Sequence, residues 1–395
     1  MDKTSKVSVA KRLWNLLAKR VTESKYTIAY CTLLTLSTIT CIILEAIIVN
    51  ADLEIYSDLQ RVDPNITTYP STSIHLASTD TDNVALGLRR LKNENVFFIL
   101  VSLFQLALGL DAVLRQSVIQ LIAHTTNQFL STIFASIQVL ETSEKNQIVN
   151  QNILDAIANA TGILTRIRLY FLIALRNGIG LVVVMALFSF IFVYLSYQLF
   201  KQFGWNTYKR IGADIQQQER FRLAQIFFMF LKLDAFFQLV LCIFYTVVMS
   251  QEQYFALWSI DRKKFVGYII HIVLTALLIP ALLVARYGVI AENRTVMVAF
   301  QVTQIIVIID FVLVLVDSAG TWVFWILAVC VAIVLCVVTI VISFLVAKNF
   351  DKGLKPYMQR LFDSNEENDK QDKGNLLRNE EWLIDDEDDY TPSHK

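Results

Sequence analysis

Five ionisable side chains lie inside long apolar runs. Lys232 and Asp234 stand two residues apart in FMFLKLDAFF (228–237). Asp310 interrupts VIIDFVLVLV, His271 lies a short way into a further run, and Glu45 falls near the end of TITCIILEAIIV. A charge at the centre of a membrane helix costs about 2.5–3.5 kcal/mol, so such residues are retained for a reason. Lys232 is nine residues into the run that begins near Leu223. At ~1.5 Å per residue this is roughly 14 Å deep, close to the midplane of a ~30 Å hydrocarbon core. Side chains two apart on a helix point about 200° away from each other, so Lys232 and Asp234 do not neutralise one another. Each needs a partner from another helix. The expected pair is Lys232 with Asp310, which leaves Asp234 without a cation and with Gln105 or Thr303 as a hydrogen-bond partner. Asp111 and Arg115 are four apart and can pair on one helix face. Two roles are open to the buried set: a polar route for a proton, ion or solute, or buried pairs that fix helix register. No internal repeat or broken helix is visible to support transport, which favours the second.

The elements that must position these residues are membrane helices. Of 395 residues, 55% are hydrophobic and 18% charged, and the mean hydropathy is +0.50. A soluble domain carries about 25% charged residues. The fold class is therefore an all-α, polytopic helical bundle in a lipid bilayer. Eight apolar runs are long enough to span, at about 26–49, 95–114, 117–140, 177–200, 223–249, 265–286, 296–316 and 322–347. The third contains His124, Asn127 and Gln128. It crosses only if its polar side faces other helices; otherwise the count is seven.

Seven Lys and Arg precede residue 26, which places the N-terminus in the cytosol. With eight spans both termini are then cytosolic. Two glycosylation sequons, at Asn65 and Asn159, fall in the two longest lumenal loops. The third, at Asn293, falls in a short cytosolic turn and is expected to stay bare. Four regions follow: a basic N-terminal segment (1–25), too polar for a cleavable signal peptide; the bundle (26–347); a basic juxtamembrane stretch (348–362); and a tail (363–395). The tail holds 12 acidic and 4 basic residues and has the composition of a disordered segment. Within it Asp372 stands four residues before Leu376 and Leu377, the spacing of an acidic dileucine sorting signal.

Catalytic motifs are absent: no HExxH, GxSxG or GxxxxGK[ST] occurs. The chain is read as non-enzymatic. Neither a cofactor nor a metal site is expected, because the four histidines are scattered and all five cysteines lie inside apolar runs. Basic residues edge the membrane and form no nucleic-acid surface.

Two segments are less generic. NENVFFILVSLFQLALGLDAVLRQSVIQ (93–120) and FGWNTYKRIGADIQQQERFRLAQIFFMFLKLDAFF (203–237) resemble an uncharacterised fungal family of multi-pass Golgi apparatus membrane proteins. The GWNTYKRIGAD loop carries the most specific part of the likeness. The resemblance implies a Golgi or neighbouring secretory or endosomal membrane and no reaction. It is compatible with a trafficking or membrane-organisation component. Trp205, Tyr208, Lys209, Arg210 and Asp214 in loop 201–222, together with the acidic tail, would then meet coat or adaptor proteins. The alternatives are a proton-coupled or ion transporter using the intramembrane carboxylates, and a seven-span receptor.

Overall fold

The computed structural model describes residues 18, 20–62, 80–150, 161–211, 215–251, 262–318 and 322–350. These form eight helices: α1 (Lys25–Val62), α2 (Asp80–Arg115), α3 (Val118–Ile148), α4 (Thr161–Ile211), α5 (Ile215–Gln251), α6 (Arg262–Ile290), α7 (Arg294–Ser318) and α8 (Val323–Lys348). Seven are long and apolar enough to cross a membrane; α3 is the exception. Its apolar residues point the other way round from a soluble helix. Ile122, Phe129, Ile133 and Leu140 face outward, while Gln120, His124, Asn127, Gln128, Ser131, Gln138 and Thr142 are buried. Lipid rewards this inversion, since polar side chains find partners only inside the bundle. At 31 residues and ~1.5 Å each, α3 is about 46 Å long, enough for a full crossing.

The helices sort into two rings. In the first, α1 packs on α2, α2 on α3, α3 on α4, and α4 back on α1. In the second, α5, α6, α7 and α8 close in the same order. Neighbours are antiparallel, as their bonded pairs show. Asp52 meets Asn95, and Gly109 lies against Leu34. Thr125 meets Ser196 and Thr132 meets Ser189. Tyr268 meets the Thr246 carbonyl, and Gln301 meets Ser343. Short turns enforce this between α2 and α3 and between α6 and α7. Gln116 and Glu292 sit in the left-handed region, at φ 50° and 53°, and close the ends of α2 and α6. Asn293 then caps α7, its side-chain oxygen accepting the N–H groups of Thr295 and Val296 at 3.0 and 3.3 Å.

A thinner seam joins the rings, with α2 and α3 facing α5 and α8. Towards one end Lys232 bonds Asp111. In the middle, the rings of Phe104 and Phe236 stack at 4.1 Å, and Phe97 sits among Phe134, Phe244 and Phe324. At the other end Trp322 donates to Glu94, and Glu141 accepts the Phe324 backbone N–H at 2.9 Å. Trp322 begins α8 with no side-chain cap of its own. Glu141, from the other ring, supplies the missing acceptor and places an anion at the positive end of the helix.

The cytosolic loop of the sequence reading, 201–222, is largely helical. α4 continues to Ile211 and α5 resumes at Ile215, because no proline interrupts the backbone ladder there.

Candidate functional site

The 200° separation on α5 decides how Lys232 and Asp234 are used. Lys232 turns outward to the seam and pairs with Asp111, which also holds Arg115 at 2.7 Å. The expected Lys232–Asp310 pair does not form. Ring order puts α2, and not α7, against that side of α5. Between Phe104, Asp111, Arg115, Lys232 and Phe236 lies an open cleft of about 490 Å³.

Asp234 turns inward and is completely buried. Gln105 is not its partner: it bonds Ser131 at 2.7 Å within the first ring. Thr303 bonds the Ala299 carbonyl of its own helix. Asp234 instead lies beside Thr339 and Gln238, yet neither carboxylate oxygen has hydrogen-bond geometry to a group among the described residues.

From Asp234 a file of buried polar groups runs through the second ring. α5 presents Asp234, Gln238 and Cys242 at i, i+4 and i+8, one above another on a single face. On the side of the α6–α7 turn, Gln301 donates to Ser343 at 2.8 Å. Next come Asp234 and Thr339. Gln238 then donates to Gln304 at 3.0 Å and contacts the Cys336 sulfur at 3.1 Å. Finally His271 Nδ1 lies 2.7 Å from Asp310 Oδ2, and its Nε2 lies 3.2 Å from the Cys242 carbonyl. Every residue in this file is buried. From Gln301 to Asp310 is nine residues of α7, a rise of about 14 Å, nearly half of a ~30 Å core.

The two ring nitrogens of His271 face two oxygens, the Asp310 carboxylate and the Cys242 carbonyl, and a hydrogen on each nitrogen would satisfy both contacts.

The first ring has polar groups of its own. Tyr30 bonds His124 at 2.9 Å. Asn95 links Gln138 to Asp52. Glu45 is buried, and neither of its oxygens has a hydrogen-bond partner among the described residues.

Of the five intramembrane residues singled out from the sequence, Asp234, His271 and Asp310 share one file, Lys232 belongs to the seam, and Glu45 lies in the other ring. Cys242, Gln238, Gln304 and Thr339 were not anticipated. The i, i+4, i+8 spacing of 234, 238 and 242 was the available signal. Asn65, Asn159, Asp214, Asp372, Leu376 and Leu377 lie outside the described residues. Trp205, Tyr208, Lys209 and Arg210 lie on the last turns of α4.

A UPF0658 Golgi apparatus membrane protein of Schizosaccharomyces pombe is 23% identical over 291 residues, covering 69% of this chain and 79% of that protein. The chain resembles this uncharacterised Golgi membrane family. No family model matches, and no solved structure matches. With its long apolar helices and this relative, the chain is a multi-pass protein of the Golgi apparatus membrane.

Proposed function

We propose that the protein is a non-enzymatic carrier of protons or small cations across the Golgi membrane, and that the interior of the second ring is its route. The observation that carries this reading is the buried file from Gln301 to Asp310, with the Asp234 carboxylate along it beside Thr339 and Gln238 and paired with no cation among the described residues. A membrane interior retains ionisable groups at a cost in stability, and transport is the commonest reason. In this reading the His271–Asp310 pair and the Asp234 carboxylate are the stations along the route. The sequence alone favoured a purely structural role because no repeat was visible. Two rings of like order and direction weaken that objection, since carriers are often built from paired halves.

Loop 201–222 and the acidic tail serve, in this reading, as the address that coat or adaptor proteins recognise. Lys209 and Arg210 would contribute charge, and Asp372, Leu376 and Leu377 a sorting signal. Removing 363–395, or changing Lys209 and Arg210 to Ala, is expected to move the protein out of the Golgi. Unchanged location and partner recovery in both would end the addressing role.

The transport test uses purified protein in vesicles with a pH-sensitive dye inside and an imposed ion gradient. Wild type is expected to pass protons, alone or with a cation, and Asp234→Asn and Asp310→Asn each to reduce the rate by tenfold or more, about 1.4 kcal/mol of barrier. No flux under any imposed gradient, or flux indifferent to both changes, would sink the proposal.

A further inference from the structure

The far end of the file has a chemistry that protons alone do not require. The Cys242 sulfur, a ring nitrogen of His271 and a carboxylate oxygen of Asp310 all lie within 4.8 Å of one another, each on a different helix and each buried. We infer that Cys242, His271 and Asp310 form a binding site for a divalent, borderline-soft transition-metal ion of the zinc class. This concerns equilibrium binding and stands whether or not the ion crosses the membrane.

Four features point to such an ion. The donor set is one sulfur, one nitrogen and one oxygen, which suits zinc and its neighbours. Calcium and magnesium prefer all-oxygen sites. The second ring nitrogen is already committed: Nε2–H donates to the Cys242 carbonyl, the usual outer contact that orients a metal-bound histidine and leaves the other nitrogen's lone pair free. Nδ1 lies 2.7 Å from an Asp310 oxygen, so the nitrogen and oxygen donors already converge on one point. Charge is the fourth feature. A thiolate and a carboxylate together neutralise a divalent ion, so the loaded site adds no net charge to a low-dielectric interior.

Tetrahedral zinc with ligand bonds of about 2.0–2.3 Å sets its donors roughly 3.3–3.8 Å apart. Binding therefore requires the nitrogen–oxygen pair, 2.7 Å apart, to open as the three donors settle at that spacing. The proton balance is explicit. The ion displaces the proton held between His271 and Asp310 and the thiol proton of Cys242, and these two leave to solvent as the metal bonds form. Tyr245, whose ring meets the His271 ring edge-on at 4.7 Å, and Thr275, beside Cys242, border the site without adding charge.

The test uses the full chain in detergent, stripped with a chelator and titrated with cobalt(II), followed by competition with zinc. Wild type is expected to take up about one equivalent and to show a thiolate-to-cobalt charge-transfer band. Cys242→Ser should abolish that band. His271→Ala and Asp310→Asn should weaken zinc retention more than about 100-fold, beyond the roughly 10–100-fold that loss of an outer-shell partner alone typically costs. Cys41→Ser, in the other ring, should change nothing. The wild-type titration needs no variant to fold. Uptake no greater than a buffer blank, or a charge-transfer band that survives in Cys242→Ser, overturns the assignment. Proton flux persisting without metal uptake would retain the carrier and remove the metal site.

Discussion

At the residue scale, Asp234 is the most exposed to experiment. It is a carboxylate with no cation and no hydrogen bond of good geometry among the described residues. Asparagine has nearly its shape and can donate to neighbours. Asp234→Asn is therefore expected to stabilise the protein, by about 1–3 kcal/mol, the penalty of leaving a buried polar group unpaired. A higher thermal unfolding midpoint in detergent together with slower flux would mark a residue kept for function at the expense of stability. A lower midpoint would mean the carboxylate has a structural partner. The sequence revealed part of this. Depth and the angular split between Lys232 and Asp234 follow from helix geometry and were legible. The partner of Lys232 was not, because it depends on which helix stands beside α5, and nothing local encodes that. Asp310 was an equally good anion on paper; ring order gave it to His271 instead.

At the element scale, α3 shows why a hydropathy average misleads. Its mean is lowered by polar residues, most of which lie on the side that faces the neighbouring helices of its ring. The stripe 120, 124, 127, 128, 131, 138 was visible in the sequence, but whether it faced water or helices was not. A charge on its other face should be decisive. Ile133→Lys puts an ammonium into lipid and is expected to cost about 2.5–3.5 kcal/mol, seen as a collapse of the monodisperse peak after mild heating. Gln138→Ala removes the bond to Asn95 and should cost about 1–3 kcal/mol without preventing insertion. If Ile133→Lys behaves as wild type, α3 does not meet hydrocarbon there. Helix spacing gives another measurable effect. A Cβ on Gly109 would come within 2.6 Å of a Leu34 methyl, so a larger side chain there would force the buried Leu34 side chain to shift. Gly109→Leu is expected to destabilise by about 1–3 kcal/mol through overpacking, again read as an unfolding midpoint.

At the scale of the whole molecule, α3 as an eighth crossing would return the chain to the side where it started. Asn65 and Asn159 are then expected to carry glycans that an endoglycosidase removes, and Asn293 to carry none. The reverse pattern would invert the whole topology. The seam can be tested by charge exchange. Lys232→Asp and Asp111→Lys should each loosen the contact between rings, whereas the double change should recover much of the loss, as coupled neighbours do.

The two rings share no helix, and covalent continuity between them consists of the short passage from Ile211 to Ile215. Among the described residues the ion pair, the phenylalanines and the Glu94–Trp322, Arg90–Trp322 and Glu141–Phe324 contacts also hold them together. A gene cut within that passage and expressed as separate pieces should therefore yield halves that find each other in the bilayer and co-purify. Each would be a complete up-and-down bundle with its own closed circuit of neighbours, so the cut breaks no ring.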